Sequence, residues 1–564
     1  MRKSTAFALP AILLVAVFLR LSPLTRFLYW GADVGEYFAI LRNLVDSGRV
    51  TLPYYGWGVA YPHFPGLFFP QFGLVALSGL EPAAVVSVLV PVLSAIATVV
   101  VFLMGVAISR ERKAGLLAAA FVAVAMPFAY TASHAAPTTL GGLLVVTALL
   151  LFLRLRQDRR AWIPLAILTV ALVMTHHLST YFLIILVLGA ILVRGLLRPA
   201  AGSPGLRRDV AYAAFLLTAT FAYWFGYAPV LGLGVLRDVS LDPWWLLPVG
   251  FLLLLGAATV LVLLRRRIPW SYRPRYPGLR RVVALYVAAL FAIAGFVALW
   301  VLFGVPGTSI AIPASEALFF GAFFVLLAFG ASGRKFFDFF RRGVDPTAWL
   351  LAVLGSIAIG AAVAPRPLLP YRQIEYIALP IALFLGVGLP RFLDLTDAGR
   401  ARRGAAAVAV GLLLAGCAAA AIPPPELLGG WQEGVRPNAL DAAYWSRTFV
   451  SGLVVADHMS STVAFGFGGV DATWDTSRTP FFAATFAESR AQLIDVVSPS
   501  GTKDAGFVWI SADTRSGVTL YPWEPASPMP SAAVAKFAES PFIKVFDNGY
   551  AQLYWIAWGC DGSC

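Results

Sequence analysis

Hydrophobic residues in this chain fall into thirteen apolar runs parted by short polar breaks, at about 5–22, 84–109, 114–132, 137–154, 161–176, 178–197, 210–228, 244–264, 281–304, 314–331, 347–364, 373–390 and 404–422. A hydrocarbon core about 30 Å thick takes roughly 20 apolar residues per helix, so each run predicts a membrane span. A fourteenth stretch, 64–80, is short and interrupted by Pro65, Gly66 and Pro70, which predicts a re-entrant or interfacial segment. Within the long break at 23–83, apolar residues recur at 34, 37, 38, 41, 44 and 45 with Glu36, Arg42, Asn43 and Asp46 opposite, and Gly48 follows. That period predicts an amphipathic helix suited to the membrane interface. Past about 425 the pattern changes to short strand-like runs at 452–456, 462–467, 506–511, 517–521 and 543–556, with a helix around 438–450. Asp547-Asn548-Gly549 marks a hairpin turn in the last run.

Composition sharpens this picture. The 564 residues are 59% hydrophobic and 13% charged, with a mean hydropathy of +0.78, which excludes a water-soluble protein, where roughly a quarter of residues are charged. The net charge of +14 is an orientation signal rather than a nucleic-acid footprint. With the N-terminus inside, the inside loops hold 28 Lys and Arg and the outside loops 7, namely Arg20, Arg26, Arg42, Arg49, Arg237, Arg366 and Arg372. The excess of basic residues inside predicts thirteen spans, N-terminus in and C-terminus out. Residues 425–564 carry 8 basic and 14 acidic residues and no run long enough to span. The expected architecture is a polytopic α-helical membrane protein, residues 1–424, with a C-terminal extracytoplasmic α/β domain, residues 425–564. The first span lacks a small-x-small cleavage site and reads as an anchor. Cys417, Cys560 and Cys564 are too few for a disulfide framework, and the C-x3-C tail is a weak signal for one small loop.

Candidate chemistry gathers on the predicted outer side, where all five histidines, His63, His134, His176, His177 and His458, fall. Asp33 precedes the amphipathic helix and Glu36 lies three residues later. Two readings stand: an N-terminal capping arrangement, or two carboxylates offered to a substrate at the membrane face. Tyr54-Tyr55-Gly56-Trp57-Gly58 and Tyr61-Pro62-His63-Phe64-Pro65-Gly66 suit an aromatic belt equally with a wall for a lipid tail or sugar ring. His176 and His177 form a tight outer turn, as snorkelled caps or as one donor to a phosphate or hydroxyl. Pro365-Arg366-Pro367-Leu368-Leu369-Pro370-Tyr371-Arg372 places two arginines against the charge trend. A phosphate fits their forked donors; an Arg372–Glu375 pair at i, i+3 is the other reading.

One span, a long outer loop opening with an acid and an amphipathic helix, then Tyr-Pro-x-x-Pro-Gly at residues 61–66, resembles the GT-C class of membrane glycosyltransferases, with a topology similar to its oligosaccharyltransferase branch. The resemblance covers the whole architecture, and its sharp motif runs from Gly31 to Gly66. It implies a polyprenyl-phosphate-linked sugar donor, transfer on the outer face of the plasma membrane, and a glycan, lipid or protein acceptor. It implies that Asp33, with Glu36 second, is catalytic or binds a catalytic metal, a divalent cation such as Mg or Mn for which Asp33, His134 and Glu316 are candidates. It further implies that Arg366, Tyr371 and Arg372 hold the lipid phosphate, with His63, His134, His176, His177 and Glu316 as substrate-binding candidates. The chain departs from the oligosaccharyltransferase branch at Thr131–Pro137, which has no acid, at Pro313–Glu316, a loose likeness of its Ser/Thr-x-x-Glu motif, and at Thr473-Trp474-Asp475-Thr476, a poor substitute for Trp-Trp-Asp-x-Gly. Transfer to protein and a lipid or sugar flippase are the alternative functions; span interiors almost free of charge and no detected paired repeat weigh against transport.

Overall fold

A computed structural model describes residues 3–49, 60–197, 204–238, 249–250 and scattered positions to 264, 275–306, 308–340, 342–363, 369–396, 399–473, 479–498, 501–521 and 523–559. Among these, nine helices are long and apolar enough to cross a membrane: Phe7–Thr25, Pro82–Ser109, Pro137–Leu155, His177–Leu196, Gly205–Tyr227, Leu279–Phe303, Val344–Ala361, Pro370–Leu395 and Arg400–Ala419. Each falls on a predicted apolar run. The run at 114–132 appears as Arg112–Val124 and Met126–Thr131, parted at Ala125 before Pro127, which cannot donate to the preceding turn. The runs at 161–176 and 314–331 appear as Trp162–Thr175 and as Ala314–Phe319 with Gly321–Phe337. Most of 244–264 lies outside the described residues, as do Tyr54–Gly58, Trp474–Thr476, Cys560 and Cys564. The interrupted stretch 64–80 holds the 11-residue helix Phe68–Ser78.

The C-terminal part carries the expected sheet. Strand β1 (Tyr29–Trp30) belongs to the first loop and pairs antiparallel with β2 (Gly434–Val435). Strands β3 (Leu453–Val455) and β4 (Ala472–Thr473) are parallel, β5 (Val496–Ser498) and β6 (Gly501–Lys503) form a small hairpin, and β7 (Ala505–Ser511) runs parallel to β3. β8 (Phe542–Asp547) and β9 (Ala551–Ile556) complete a five-stranded sheet of order β4-β3-β7-β9-β8. The predicted hairpin turns at Gly549, φ +83°, and the predicted helix is Pro437–Phe449. Residues 462–467 are a correction: they continue the helix His458–Val463 into a π-turn, Ala464–Gly468, instead of forming a strand. Asp457 starts that helix by accepting a bond from the Ser460 N–H at 3.1 Å, and a short apolar run buried on all sides has no period to separate strand from helix. At 517–521 only an isolated bridge forms, Val518 to Ser527.

The amphipathic helix of the first loop is Val34–Ser47, closed by Gly48 in the left-handed region, as its pattern predicts. It does not lie open in the interface. Val34, Tyr37, Phe38, Ile40, Leu41 and Leu44 share one buried core with Val435, Leu440, Val454, Phe467, Trp509 and Leu553 of the C-terminal part. Phe467 stacks on both Phe38 (4.6 Å) and Tyr29 (4.8 Å). Burying six such side chains contributes on the order of 10 kcal/mol as an upper bound. The contact is close because it is made by glycine: a Cβ on Gly35 would overlap the Thr462 carbonyl, and one on Gly466 would overlap the Gly35 backbone.

A second buried feature lies far from this core. Arg156 and Arg194 pair with Asp209, and Arg194 also with Asp345. Asp209 and Asp345 are fully buried. Arg194 stands about 25 Å along its helix from His177, at 1.5 Å per residue.

The Gly35 contact generates a prediction. Gly35→Ala should destabilise the protein by about 1–3 kcal/mol, the cost of overpacking a tight contact. It should lower the thermal midpoint in detergent and speed proteolysis after residue 424. An unchanged midpoint would mean that this helix is not seated on the C-terminal part.

Candidate active site

The Gly31-Ala32-Asp33 turn is held almost wholly by residues from the far end of the chain. Gly31 N–H donates to the Glu433 carbonyl (2.8 Å), Ala32 N–H donates to Glu433 Oε2 (2.7 Å), and the Thr462 hydroxyl donates to the Ala32 carbonyl (2.7 Å). Trp30 Nε1 donates to Ser133 Oγ at 2.9 Å, tying the same turn to the membrane helices. Gly31, at φ +121°, takes a backbone conformation that side chains rarely adopt.

Asp33 stands at the start of Val34–Ser47, yet its side chain makes no capping bond. Its backbone, φ −91° and ψ 5°, is not the extended geometry that aims a capping carboxylate at the helix N–H groups. The carboxylate turns outward instead. His458 Nε2 meets Oδ1 at 2.7 Å, and the hydroxyls of Tyr37 and Tyr61 lie 3.3 and 3.5 Å from Oδ2. Burial, with Asp33 beside them, holds both phenols well above their ordinary range, so they stay neutral donors. His458 is 1% exposed and Asp33 23%. His458 is fixed by its place as the first residue after the Asp457 cap and by its backbone N–H, which donates to the Thr519 carbonyl (2.8 Å), and its ring lies 4.9 Å from that of Trp431.

Asp33 and His458 open on a cavity of about 800 Å³. Its polar end also carries His134, His176, Tyr371, Arg372, Glu375 and Glu433; its other walls are apolar, from Ile293, Phe296, Phe323, Leu327, Leu354 and Ile381 among others. Arg372 belongs to the 3-10 turn Pro370–Gln373 that leads into Ile374–Leu395, just after Leu369 at φ +42°. Its side chain is exposed to the cavity, within electrostatic reach of Asp33. Glu375, one turn on, feels both Arg20 and Arg372; among the described residues Arg372 and Glu375 are not within ion-pair distance, so the i, i+3 pair is not formed. His176 Nδ1 accepts from the Ser179 N–H (3.2 Å), which leaves Nε2 to carry the ring proton.

His134 makes a second pair, with Glu433. Its Nδ1 faces the Tyr130 carbonyl at 2.8 Å and its Nε2 faces Glu433 Oε1 at 3.3 Å, so both nitrogens meet acceptors. Burial works against the charge, but Glu433 and these bonds outweigh it and raise the imidazole above its ordinary range.

Of the residues expected from sequence, Asp33, His134, His176, Tyr371 and Arg372 line this cavity. Glu36 does not: it is fully buried and absent from the cavity lining, within electrostatic reach of Tyr37 and Tyr61. His63 packs edge-on against Tyr227, and His177 lies between His176 and Phe64, both outside the cavity wall. Glu316 sits in the first turn of Ala314–Phe319, off the wall that Ala317 and Phe320 supply. Arg366 lies outside the described residues. Among the described residues no group of three or more His, Cys, Asp or Glu is arranged to hold a metal ion, so the metal candidates Asp33, His134 and Glu316 do not converge. Glu433, Tyr37 and Trp431 were given no site role from sequence, and His458, Tyr61 and Glu375 were named there only as a histidine on the outer side, as part of the aromatic motif and as a possible partner of Arg372. For His458 a signal existed: it follows a parallel strand at a strand-to-helix turn, where α/β sheets place ligand sites. Tyr61 opens the Tyr-Pro-x-x-Pro-Gly motif, and the last residue of that motif, Gly66, presses on Thr175 where a Cβ has no room.

No protein-family model and no curated protein matches this sequence. Among solved structures, the arabinofuranosyltransferase AftD from Mycobacteria superposes over 99% of this chain with a TM-score of 0.51 at 13% identity. The fold is the GT-C fold. This chain spans 40% of the length of the AftD chain. ArnT from Cupriavidus metallidurans aligns over 98% of both chains at 12% identity, with TM-scores of 0.39 for the apo structure and 0.37 for the one bound to undecaprenyl phosphate. With this fold the expected polytopic helical architecture and C-terminal sheet-containing domain are both present.

The His134–Glu433 pair generates a pH prediction. A raised native pKa means that the native state holds its proton more tightly than the unfolded chain. The stabilisation is therefore full below the ordinary value of about 6.5 and is lost as pH rises through the native value. The thermal midpoint in detergent should fall across that window, and His134→Gln should flatten this part of the profile. An unaltered slope in the variant would show that the pair carries no proton linkage.

Proposed function

We propose that this chain is a membrane glycosyltransferase that moves a sugar from a polyprenyl-phosphate carrier to an acceptor on the extracytoplasmic face of the cell membrane. One observation carries the reading: a single cavity joins a buried-histidine-backed carboxylate, a guanidinium exposed to the cavity and a long apolar wall drawn from membrane helices. A polyprenyl tail matches the apolar wall, and its phosphate matches the forked donors of Arg372, with Arg366 as a second candidate. The outer placement is supported by the basic residues, 28 in the predicted inside loops against 7 outside.

The chemistry follows from the contacts. Asp33 takes the proton of an acceptor hydroxyl as that oxygen attacks the anomeric carbon. The bond from that carbon to the phosphate oxygen breaks, and the electron pair leaves on the lipid phosphate, whose charge Arg372 balances. One displacement inverts the anomeric configuration. His458 is a positioning residue: with Tyr37 and Tyr61 it fixes the orientation of the carboxylate toward the cavity. The neutral His176 offers Nε2–H to a hydroxyl or phosphate oxygen in the same cavity.

In membranes supplied with a polyprenyl-phosphate sugar, Asp33→Asn should lower transfer by about 10²–10⁴-fold with the thermal midpoint kept; full transfer by a folded Asp33→Asn protein removes the assignment. Arg372→Ala should raise the donor KM about 10- to 100-fold, the scale of a lost bond to a charged group. His458→Ala should lower kcat with the donor KM kept, and His458→Gln, which can still donate to the carboxylate, should recover part of the loss; a residue that merely packs would show no such rescue.

A further inference from the structure

We propose that Trp431, Tyr521 and Trp523 form a track that delivers a saccharide to Asp33, so that the acceptor is a glycan; this names the acceptor of the transferase reading above and rests on it. The rim of the cavity is made by three interlocked segments. Residues 305–312 and 427–431 line it directly, through Val305, Ile310, Leu428 and Trp431. Residues 521–526 hold both in place from outside: Ser309 N–H donates to the Trp523 carbonyl at 2.8 Å, and Ala526 N–H donates to the Gly429 carbonyl at 2.7 Å. Gly430 takes φ +79° to lie against Ala526.

This rim is continuous with the acid site. Trp431 stands in the cavity wall with its ring 4.9 Å from His458, whose Nε2 touches Asp33. His458 N–H is bonded to the Thr519 carbonyl, two residues before Tyr521. Tyr521 and Trp523 are stacked, with centroids 5.0 Å apart and planes at 12°, and both are half-exposed. The stretch that anchors the positioning histidine therefore runs straight into an aromatic platform next to the cavity wall.

The chemistry of this surface suits a sugar. A sugar ring has a face of polarised C–H groups and a rim of hydroxyls. The C–H face lies on the negative face of an aromatic ring, and the hydroxyls need polar neighbours. Close to the stack stand the exposed Ser309, whose N–H donates to the Trp523 carbonyl, and the half-exposed Glu524. The long aliphatic wall that a lipid acceptor would need is the one assigned to the carrier tail.

The full-length protein in lipid nanodiscs, titrated with short linear gluco-, manno-, galacto- and arabino-oligosaccharides and followed by tryptophan fluorescence, tests the track without any donor. At least one series should bind. Tyr521→Ala and Trp523→Ala should each weaken it about tenfold, the scale of losing one stacked ring, Trp523→Phe should keep most of the affinity, and Asp33→Asn should leave binding intact. In the transfer assay Trp523→Ala should raise the acceptor KM and leave the donor KM unchanged. The track is overturned if no oligosaccharide binds, if Trp523→Ala binds as tightly as the parent protein, or if short peptides bind in their place. Normal saccharide binding together with full transfer by Asp33→Asn would instead remove the acid assignment and leave the track standing.

Discussion

The contact between Asp33 and His458, 2.7 Å long and spanning 425 residues of sequence, is the constraint around which the rest is arranged. A carboxylate at the mouth of an apolar cavity is costly to keep charged and free to turn unless donors hold it. Here the donors come from two directions, phenols of the first loop and an imidazole of the C-terminal part. The imidazole reaches the site only because Gly35 and Gly466 let two backbones touch, because β1 finds β2, and because Glu433 closes over the Ala32 amide. The site is a property of the joined chain, and neither the membrane helices nor the sheet contains it alone.

The two charged clusters near the cavity divide the labour. Glu433 is saturated by an amide, a phenol and an imidazole, so it fastens; Arg372 is exposed to the cavity, so it is available for an anion. This contrast separates binding from scaffolding more sharply than residue type does, since acids, bases and histidines occur in both groups. Glu36 illustrates the point: a carboxylate three residues from Asp33, it is fully buried and takes no part in the cavity lining.

Sequence pattern located most of the elements. Apolar runs marked the helices, the 3.6-residue period marked Val34–Ser47 with its glycine stop, and Asn548-Gly549 marked the hairpin, because these signals are local. The pattern failed where the deciding contact is distant. Val34–Ser47 looks like an interfacial helix until the C-terminal part covers it, and residues 462–467 look like a strand because a fully buried run carries no period. Asp33 could be chosen from sequence by its place before the helix and by resemblance. His458 and Glu433 could not be joined to it, since nothing local states that residues some 400 positions apart meet.

The buried ion cluster at the other end of the bundle bears on how this chain is made. Arg156, at the end of the helix Pro137–Leu155, Arg194, Asp209 and Asp345 meet from four segments, and the two positive and two negative groups cancel only when all four are side by side. A helix entering the bilayer by itself carries an unbalanced charge and keeps that end near water. Each arriving partner removes part of that penalty, so the cluster favours the bundle in which every one of these helices is present. A missing or misplaced helix would leave an unpaired ion in a buried place, where it is costly.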